Sequence, residues 1–529
     1  MRVLLVTGML AKDTVEHYSK QVDVDTIVIA LPVPVASLLT PEYIARSLQQ
    51  IRLDNINLIL VPGQVIGDVA IIEKTTGIPT FKGSRYAADL PIVLSSLGKV
   101  RLSKLNAADD VITEIIQEKV RADLKESYEG YGTLLSQPGS FLLGNLPIGK
   151  GFPMRVMAEI LGAPLLSDNE LRRISAYYLH SGAHIIDVGM LTGKSRPSDA
   201  ARAVRVIKAG FNVPVAIDTF NLEEAEAAIS AGVDMLLSLD ASNLNDASRF
   251  AKDLAVVVIP GDHTREPVKE ASRRIASLAE NVAAAKRAGF KKIVADPILD
   301  ALINPGMMES LISYRAYSTQ YPDVPLLFGA GNITELIDAD SIGVNALLAG
   351  LASELGVNIL LTTEGSPKTC GCVNELATAT KMMWIAKRRL SVPKDLGLDM
   401  LVLKEKRRIE EPLREDFSWN VRTVRVNSKS KSTLPIDPQG YFRIAVDRER
   451  GQIIVIHFSK GKATAIFKGT DASSICSTIL DCNLISRLDH AAYLGNELAK
   501  AEIALRTGRS YVQDAALFMS KAEGVLHES

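Results

Sequence analysis

The chain has 529 residues, a formal net charge of −1, 47% hydrophobic and 23% charged residues, and four cysteines. That length accommodates about three domains, and the near-neutral balance argues against a nucleic-acid or polyanion binder. No apolar run reaches the ~18–20 residues a bilayer-spanning helix needs, and so few cysteines give no disulfide framework, so a reducing cytoplasm is expected.

The first ten residues, MRVLLVTGML, carry one Arg and a short apolar run. They continue into Ala11-Lys12-Asp13 and a helical pattern with no cleavage site, so they read as a first β-strand and not as a leader. RVLLVTG, DTIVIALP and NLILVPG look like buried strands, separated by helical windows at 13–21 and 41–51. Residues 1–135 are therefore expected to form a small three-layer α/β domain. Gly8 and Gly63 end two of these strands, where ligands dock in open α/β sheets. Without a G-x-G-x-x-G or a P-loop, a packing or regulatory role is expected there.

The next stretch, FLLGNLPIGKGFPMRVMAEIL, reads as two strands joined at Gly149-Lys150-Gly151. The second becomes the first strand of a long repeat, and the first is a candidate plug for its bottom or edge. Apolar segments begin at Met154, His184, Val213, Val233, Ala255, Lys291, Val324 and Val357, with amphipathic windows such as 168–181, 222–231, 267–288 and 341–355 between them. Continuous apolar strands buried on both faces and joined by helices indicate a parallel sheet. Eight strand–helix pairs over 136–390 fit a closed (β/α)8 TIM barrel of about 250 residues, with an open doubly wound sheet as the alternative.

A charged and polar linker, 391–439, separates the barrel from a small C-terminal α+β domain at 440–529. There YFRIAVD and QIIVIHF read as a hairpin over the 448–451 turn, followed by KATAIFKG and helical patterns at 473–480 and 490–507. On the last helix Ala492, Leu494, Leu498, Ile503 and Leu505 are assigned to the apolar face, and Glu497, Lys500 and Glu502 outward. His490 heads that helix in a capping or core role.

Barrel chemistry sits at the C-terminal ends of the strands. Those ends carry Glu159, Asp187, Asp218, Ser238 with Asp240, Asp262, Asp296, Asn332 and Glu364. A mouth rich in acceptors and poor in fixed cations suits a flat ring with several N–H donors, such as the aminopyrimidinone half of a pterin. A carboxylate facing an amidine-like N–H pair makes a charge-assisted bidentate contact. Mg²⁺ also prefers carboxylates, and spacing alone does not separate the two ligands.

IIDVG at Ile185, AIDT at Ala216 and VADP at Val294 resemble strands of the pterin-binding superfamily, which contains dihydropteroate synthase and the methyltetrahydrofolate methyltransferases. With its flanking domains, the whole chain is similar to the archaeal dihydropteroate synthase-related proteins. The resemblance implies that Asp218 and Asp296 grip the pterin ring. Asp187 takes a less uniform role, and the protein is expected to be a homodimer. A corrinoid-binding D-x-H-x-x-G is absent; the 262–267 stretch lacks its spacing.

The synthases carry a strand-seven Ser-Arg-Lys element and a strand-eight Arg-x-His, which supply positive charge where pyrophosphate departs. Here those strands end in Gly329-Ala330-Gly331-Asn332 and Thr362-Thr363-Glu364-Gly365, so both cationic elements are missing. Ser195-Arg196-Pro197 resembles the synthase S-T-R-P, displaced by extra residues; Arg196, Arg265 and Lys368 are candidate phosphate-binding residues. The G-A-G-N turn and its following helix resemble the methyltransferases, which implies that Asn332 bonds near pterin N5. The superfamily's strand-four Asn falls on Leu237, leaving Asp240 or Asn243 to replace it.

Cys370-Gly371-Cys372 lies on the same face, but two cysteines without a second pair make a weak zinc signal, and no metal is assigned. Cys476 and Cys482 read as buried small apolar residues. Three readings stay open: a methyltransferase using a reduced tetrahydromethanopterin- or folate-type carrier with a methyl-acceptor protein, a synthase of pterin cofactor biosynthesis, and a non-catalytic pterin-binding or assembly protein. Asn332 and Asp218 are the candidate catalytic residues, and Asp187, Ser238, Asp240 and Asp296 complete the pterin set.

Overall fold

The computed structural model describes residues 1–518 apart from 113–114, 116–117, 119, 123–124, 126–131, 406–423 and 425–435. Of the expected linker, the basic cluster from 406 onward and the polar tract 427–433 lie outside the described residues. The chain divides into two compact units, Met1–Lys406 and Arg407–Ser529.

The first unit opens with four parallel strands, β1 (Arg2–Gly8), β2 (Asp25–Leu31), β3 (Leu58–Val61) and β4 (Thr80–Lys82), in the order β2-β1-β3-β4. Leu4, Val6, Ile59 and Val61 pack on Ile44, Leu48 and Ile72 on one face. Val3, Leu5, Leu58 and Leu60 pack with Tyr18, Leu90 and Val93 on the other, which gives the three layers. Sequence reading missed β4, whose three residues Thr-Phe-Lys are too short and too polar to register as a buried strand.

Strands β5 (Phe141–Leu143) and β6 (Leu146–Ile148) form an antiparallel hairpin. Its turn is Gly144-Asn145, with Gly144 at φ 59°, and not the expected Gly149–Gly151 stretch, which only carries the chain onward into the barrel. Gly at a positive-φ turn position closes so short a hairpin without a Cβ clash. Leu143 and Ile148 pack against Met157, Ile185, Met235, Leu327 and Ile359, most of them first residues of their strands, so the hairpin closes the bottom of the barrel. Arg155, fully buried, donates from Nε to Pro147 O at 3.0 Å and ties plug to wall.

The barrel strands are β7 (Arg155–Ile160), β8 (Ile185–Gly189), β9 (Val215–Asp218), β10 (Met235–Leu239), β11 (Ala255–Val258), β12 (Lys292–Ala295), β13 (Leu327–Gly329) and β14 (Ile359–Thr363). All are parallel; β14 pairs with β7, and an Ala295–Leu326 bridge spans β12 and β13, so the sheet closes on itself. Helices at Asp168–His180, Pro197–Gly210, Leu222–Ser230, Ala271–Ala288, Met307–Gln320, Ser341–Leu355 and Cys372–Arg388 surround it, with a single short turn at Leu244–Ala247 after β10. Local chemistry sets several starts: Ser167 and Glu170 form a capping box, and Asn221 accepts from Glu223 N and Glu224 N. The last of these helices sends Met382, Trp384 and Ile385 into the core of the N-terminal sheet. Beside them Arg389 bonds buried Asp89 at 2.9 Å.

The second unit is an antiparallel sheet of β15 (Tyr441–Asp447), β16 (Gln452–Ser459) and β17 (Lys462–Gly469), with helices at Ala472–Asp481 and Leu488–Thr507. Phe442, Ile444, Ile453, Val455, Ile475, Leu494 and Leu498 make its core. Glu497 faces inward, not outward; it is buried and accepts from Tyr511 Oη at 2.8 Å. Ile503 and Ala492 are exposed, so the apolar face of the last helix is narrower than the pattern implied, and Cys482, after the preceding helix, is exposed and not buried. Among the described residues no helix is long and apolar enough to cross a membrane.

Candidate functional site

Register brings the acids together. Glu159 on β7 pairs directly with Asp187 on β8, and Gly189 pairs with Asp218 at the end of β9. A Cβ at Gly189 would lie 2.4 Å from Glu159 Oε1 and 3.0 Å from Ile160 O, so the glycine leaves the Glu159 carboxylate its place. Asp187 is fully buried and neither carboxylate oxygen makes a well-formed hydrogen bond; only the Val188 amide leans toward it. Burial, then Asp218 and Glu159, hold its carboxyl well above the usual range. Burial and Asp218 push Glu159 up to about 7.

Asp218 is raised by burial, against a 2.6 Å hydrogen bond from Ser238 Oγ to its Oδ1. Ser238 reaches it through a register shift between β10 and β11 and a left-handed backbone at φ 63°. Such a bulge re-aims a side chain at the rim of a barrel, and a non-glycine residue held there costs on the order of 1–3 kcal/mol. Asp296 follows β12. Its Oδ1 accepts from Tyr314 Oη at 2.7 Å and Ile298 N at 2.8 Å, yet burial still pushes the carboxyl up to about 6.

Asn332 follows β13 and donates from Nδ2 to Leu299 O at 2.8 Å, three residues beyond Asp296. A Cβ at Gly329 would lie 3.1 Å from that Nδ2, so the glycine makes room for the amide. Among the described residues none of Glu159, Asp187, Asp218 and Asp296 forms an ion pair. Like charges this close cannot all ionise together, so the floor of the mouth is short of N–H donors and of positive charge.

Three stretches match protein-family models: 1–85, a family of unknown function (DUF6513); 166–338, described as pterin binding enzyme; and 436–514, described as PterinBD-DUF4346. An uncharacterized protein of Methanocaldococcus jannaschii is 38% identical over 532 residues, covering 98% of this chain and 99% of its own. The chain belongs to the dihydropteroate synthase-related proteins of the pterin-binding superfamily. A Ycf91-like protein of Nostoc is 34% identical over 116 residues, covering 17% of this chain and 91% of its own. Among solved structures, a Yersinia pestis dihydropteroate synthase with a pterin–sulfa conjugate is 15% identical at a TM-score of 0.39, covering 47% of this chain and 99% of its own. One from Coxiella burnetii in complex with pteroic acid is 19% identical at a TM-score of 0.38, covering 47% and 98%.

The remaining candidates of this pterin-binding barrel lie around the rim. Arg196 precedes the Pro197–Gly210 helix, its backbone N bonded to Glu224 Oε1 at 2.7 Å and its guanidinium 3.4 Å from Asp199. Arg265 is 81% exposed and pairs with Asp262 at 3.3 Å, while Lys368 is held by Asp338 at 2.9 Å. None of the three is directed by an ion pair toward the four central acids. Glu364 accepts from Val373 N and Tyr177 Oη, both at 3.0 Å, and so caps the last barrel helix.

Asp240 is buried with both oxygens engaged, Oδ1 by Ser242 N and Oγ, and Oδ2 by His263 N and Nδ1. Asn243 is spent on Asp240 N and Ser238 O, so neither replaces the missing strand-four amide from its present position; Ser238 stands beside Asp218 instead. Asp240, Asp262 and His263 hold ligand atoms within 4.8 Å of one another, but a cation there would have to displace Asp240's four donors. Cys370 is exposed and Cys372 buried, and burial pushes the Cys372 thiol up to about 11, away from the thiolate that metal or acceptor chemistry uses. Sequence reasoning placed Glu159 on the rim without a role and missed His263. A cavity of about 250 Å³, lined by Lys150, Arg315 and Trp384 among others, lies at the opposite end of the barrel from these groups.

Proposed function

We propose that this chain is a pterin-dependent one-carbon transferase that takes a methyl group from a tetrahydromethanopterin- or tetrahydrofolate-type carrier. The observation that carries this reading is the set of four carboxyl groups at the barrel mouth, none of them in an ion pair among the described residues, with both oxygens of Asp187 lacking a well-formed hydrogen bond. A donor-rich heterocycle supplies what these groups lack, whereas a pyrophosphate would meet their repulsion. In this reading Asp218 and Asp296 accept the ring N–H and exocyclic amine, the first held by Ser238 and the second by Tyr314.

Asn332 stands beside N5. Its Nδ2 is already committed to Leu299 O, so Oδ1 is the end left for the ligand. An acceptor there bonds a protonated N5 and not the bare tertiary amine, so the contact strengthens as the leaving group is activated. The methyl group then passes to a nucleophilic acceptor, expected on a protein, while N5 keeps the bond's electron pair and the proton.

One feature favours the synthase instead: Arg196 sits at the N-terminus of a fourteen-residue helix, a ready anion site. Calorimetric titration with 5-methyltetrahydrofolate, tetrahydropterin and a pterin pyrophosphate separates the readings. The transferase reading expects the methylated carrier to bind tightest, with affinity lost in the Asp218→Asn, Asp296→Asn double variant and kept in Arg196→Ala. Tightest binding to the pyrophosphate, abolished by Arg196→Ala, makes the chain a synthase. Binding without turnover with any acceptor makes it a binding protein.

A further inference from the structure

Methyl transfer from N5 leaves a nitrogen that must hold a proton, and Asn332, the group assigned beside N5, is an amide that cannot supply one. His263 lies in the loop leaving β11 at the same rim. Its Nδ1 stands 3.0 Å from Asp240 Oδ2 and 2.9 Å from Ser242 Oγ.

Ser242 Oγ already gives its proton to Asp240 Oδ1 at 2.6 Å. Both neighbours of Nδ1 are therefore acceptors, so the ring hydrogen belongs on Nδ1 and Nε2 carries the lone pair of the neutral imidazole. The backbone N of His263 also donates to Asp240 Oδ2, at 2.5 Å, which pins the residue at two points. Phe220, two residues beyond Asp218, stacks on one face of the ring with centroids 4.2 Å apart and planes at 28°.

The imidazole keeps 32% of its side chain exposed while Asp240 keeps 1%. The other acid of the loop, Asp262, does not compete for the ring, being engaged by Thr264 and Arg265. A buried carboxylate fixing the tautomer and aim of a half-exposed imidazole is the arrangement general acid–base chemistry uses. It is tied to the pterin site by one strand end, since Ser238, two residues before Asp240, bonds Asp218.

We propose that His263 is the proton-transfer residue of this mouth and Asp240 its positioning residue. Protonated Nε2 gives its hydrogen to N5 as the N5–methyl bond breaks; the bond's electron pair stays on N5, the methyl goes to the nucleophilic acceptor, and the imidazole recovers a proton from solvent. The proposal rests on the transferase reading above.

The test uses the full chain, whose seven histidines are few enough for long-range ¹H–¹⁵N NMR, with 5-methyltetrahydrofolate as the probe. The expected free form is the Nδ1–H tautomer, and bound probe shifts both ring nitrogens. Calorimetry slightly above neutral pH, in two buffers of different ionisation heat, is expected to show proton uptake on binding. His263→Gln should lose that uptake while still binding the probe, and Asp240→Asn should keep the ring but change its tautomer and the uptake. Undiminished uptake in His263→Gln, or ring signals that do not move when the probe binds, overturns the proposal. A wild-type chain that fails to bind the probe, or an Asp218→Asn variant that binds it equally well, overturns the pterin reading instead and this proposal with it.

Discussion

Glu159 and Asp187 share one register position on adjacent strands, and the fold holds both above the ordinary carboxylate range. A raised carboxyl pKa means the folded chain binds protons more tightly than the unfolded one. The stability it contributes is complete below the unfolded value and is lost as pH rises through the folded value. For Glu159 that window runs from 4.5 to about 7. The ligand-free protein is therefore expected to melt at lower temperature as pH rises across that window, and Glu159→Gln should flatten the slope. The effect is on the order of 3 kcal/mol, and melting curves at several pH values check it. Ser238 gives a second prediction at this scale. Ser238→Ala removes the 2.6 Å bond that aims Asp218, so pterin affinity should fall about tenfold, a cost of roughly 1.4 kcal/mol, with the melting temperature nearly unchanged. The acids were legible in sequence because each ends an apolar run. Ser238's contact was not, because a bulge leaves no mark in an apolar pattern such as Met-Leu-Leu-Ser-Leu.

Eight continuous apolar segments with helical windows between them made the barrel readable, since each strand is buried on both faces and its composition says so. The hairpin beneath it was only half readable. Phe-Leu-Leu-Gly-Asn-Leu-Pro-Ile contains a strand pair, but the glycine-rich run at 149–151 is the louder turn signal, and only the barrel's empty lower end explains why the earlier turn closes. Leu143 and Ile148 fill that end at 2% and 1% exposure. Leu143→Ala should leave a cavity that the surrounding strands cannot collapse into, at about 2–4 kcal/mol. Because the plug and the acidic mouth are at opposite ends, denaturant midpoint should drop while pterin affinity stays within error. A comparable loss of affinity would mean that the barrel interior transmits strain along its length.

At the scale of the whole first unit, the last barrel helix belongs to two cores at once. Its N-terminus is capped by Glu364 at the mouth, Val373, Leu376 and Ala377 pack on the barrel, and Met382, Trp384 and Ile385 pack on the N-terminal sheet. In sequence this helix looked like the end of the barrel and no more, because an amphipathic pattern does not say which neighbour covers each face. The buried Arg389–Asp89 pair fastens the same junction, with side chains 10% and 2% exposed. Removing one member strands the other charge in a poorly solvated place, at about 3–5 kcal/mol, and Trp384→Ala costs a similar amount through lost packing. If the two cores fold as one, calorimetry on the full chain should show residues 1–406 melting in a single transition. Asp89→Asn or Trp384→Ala should then move that whole transition down by several degrees. If the sheet and the barrel were independent, the same substitutions would split off an early transition belonging to the N-terminal domain and leave the barrel's melting temperature, and its affinity for a pterin, where they were.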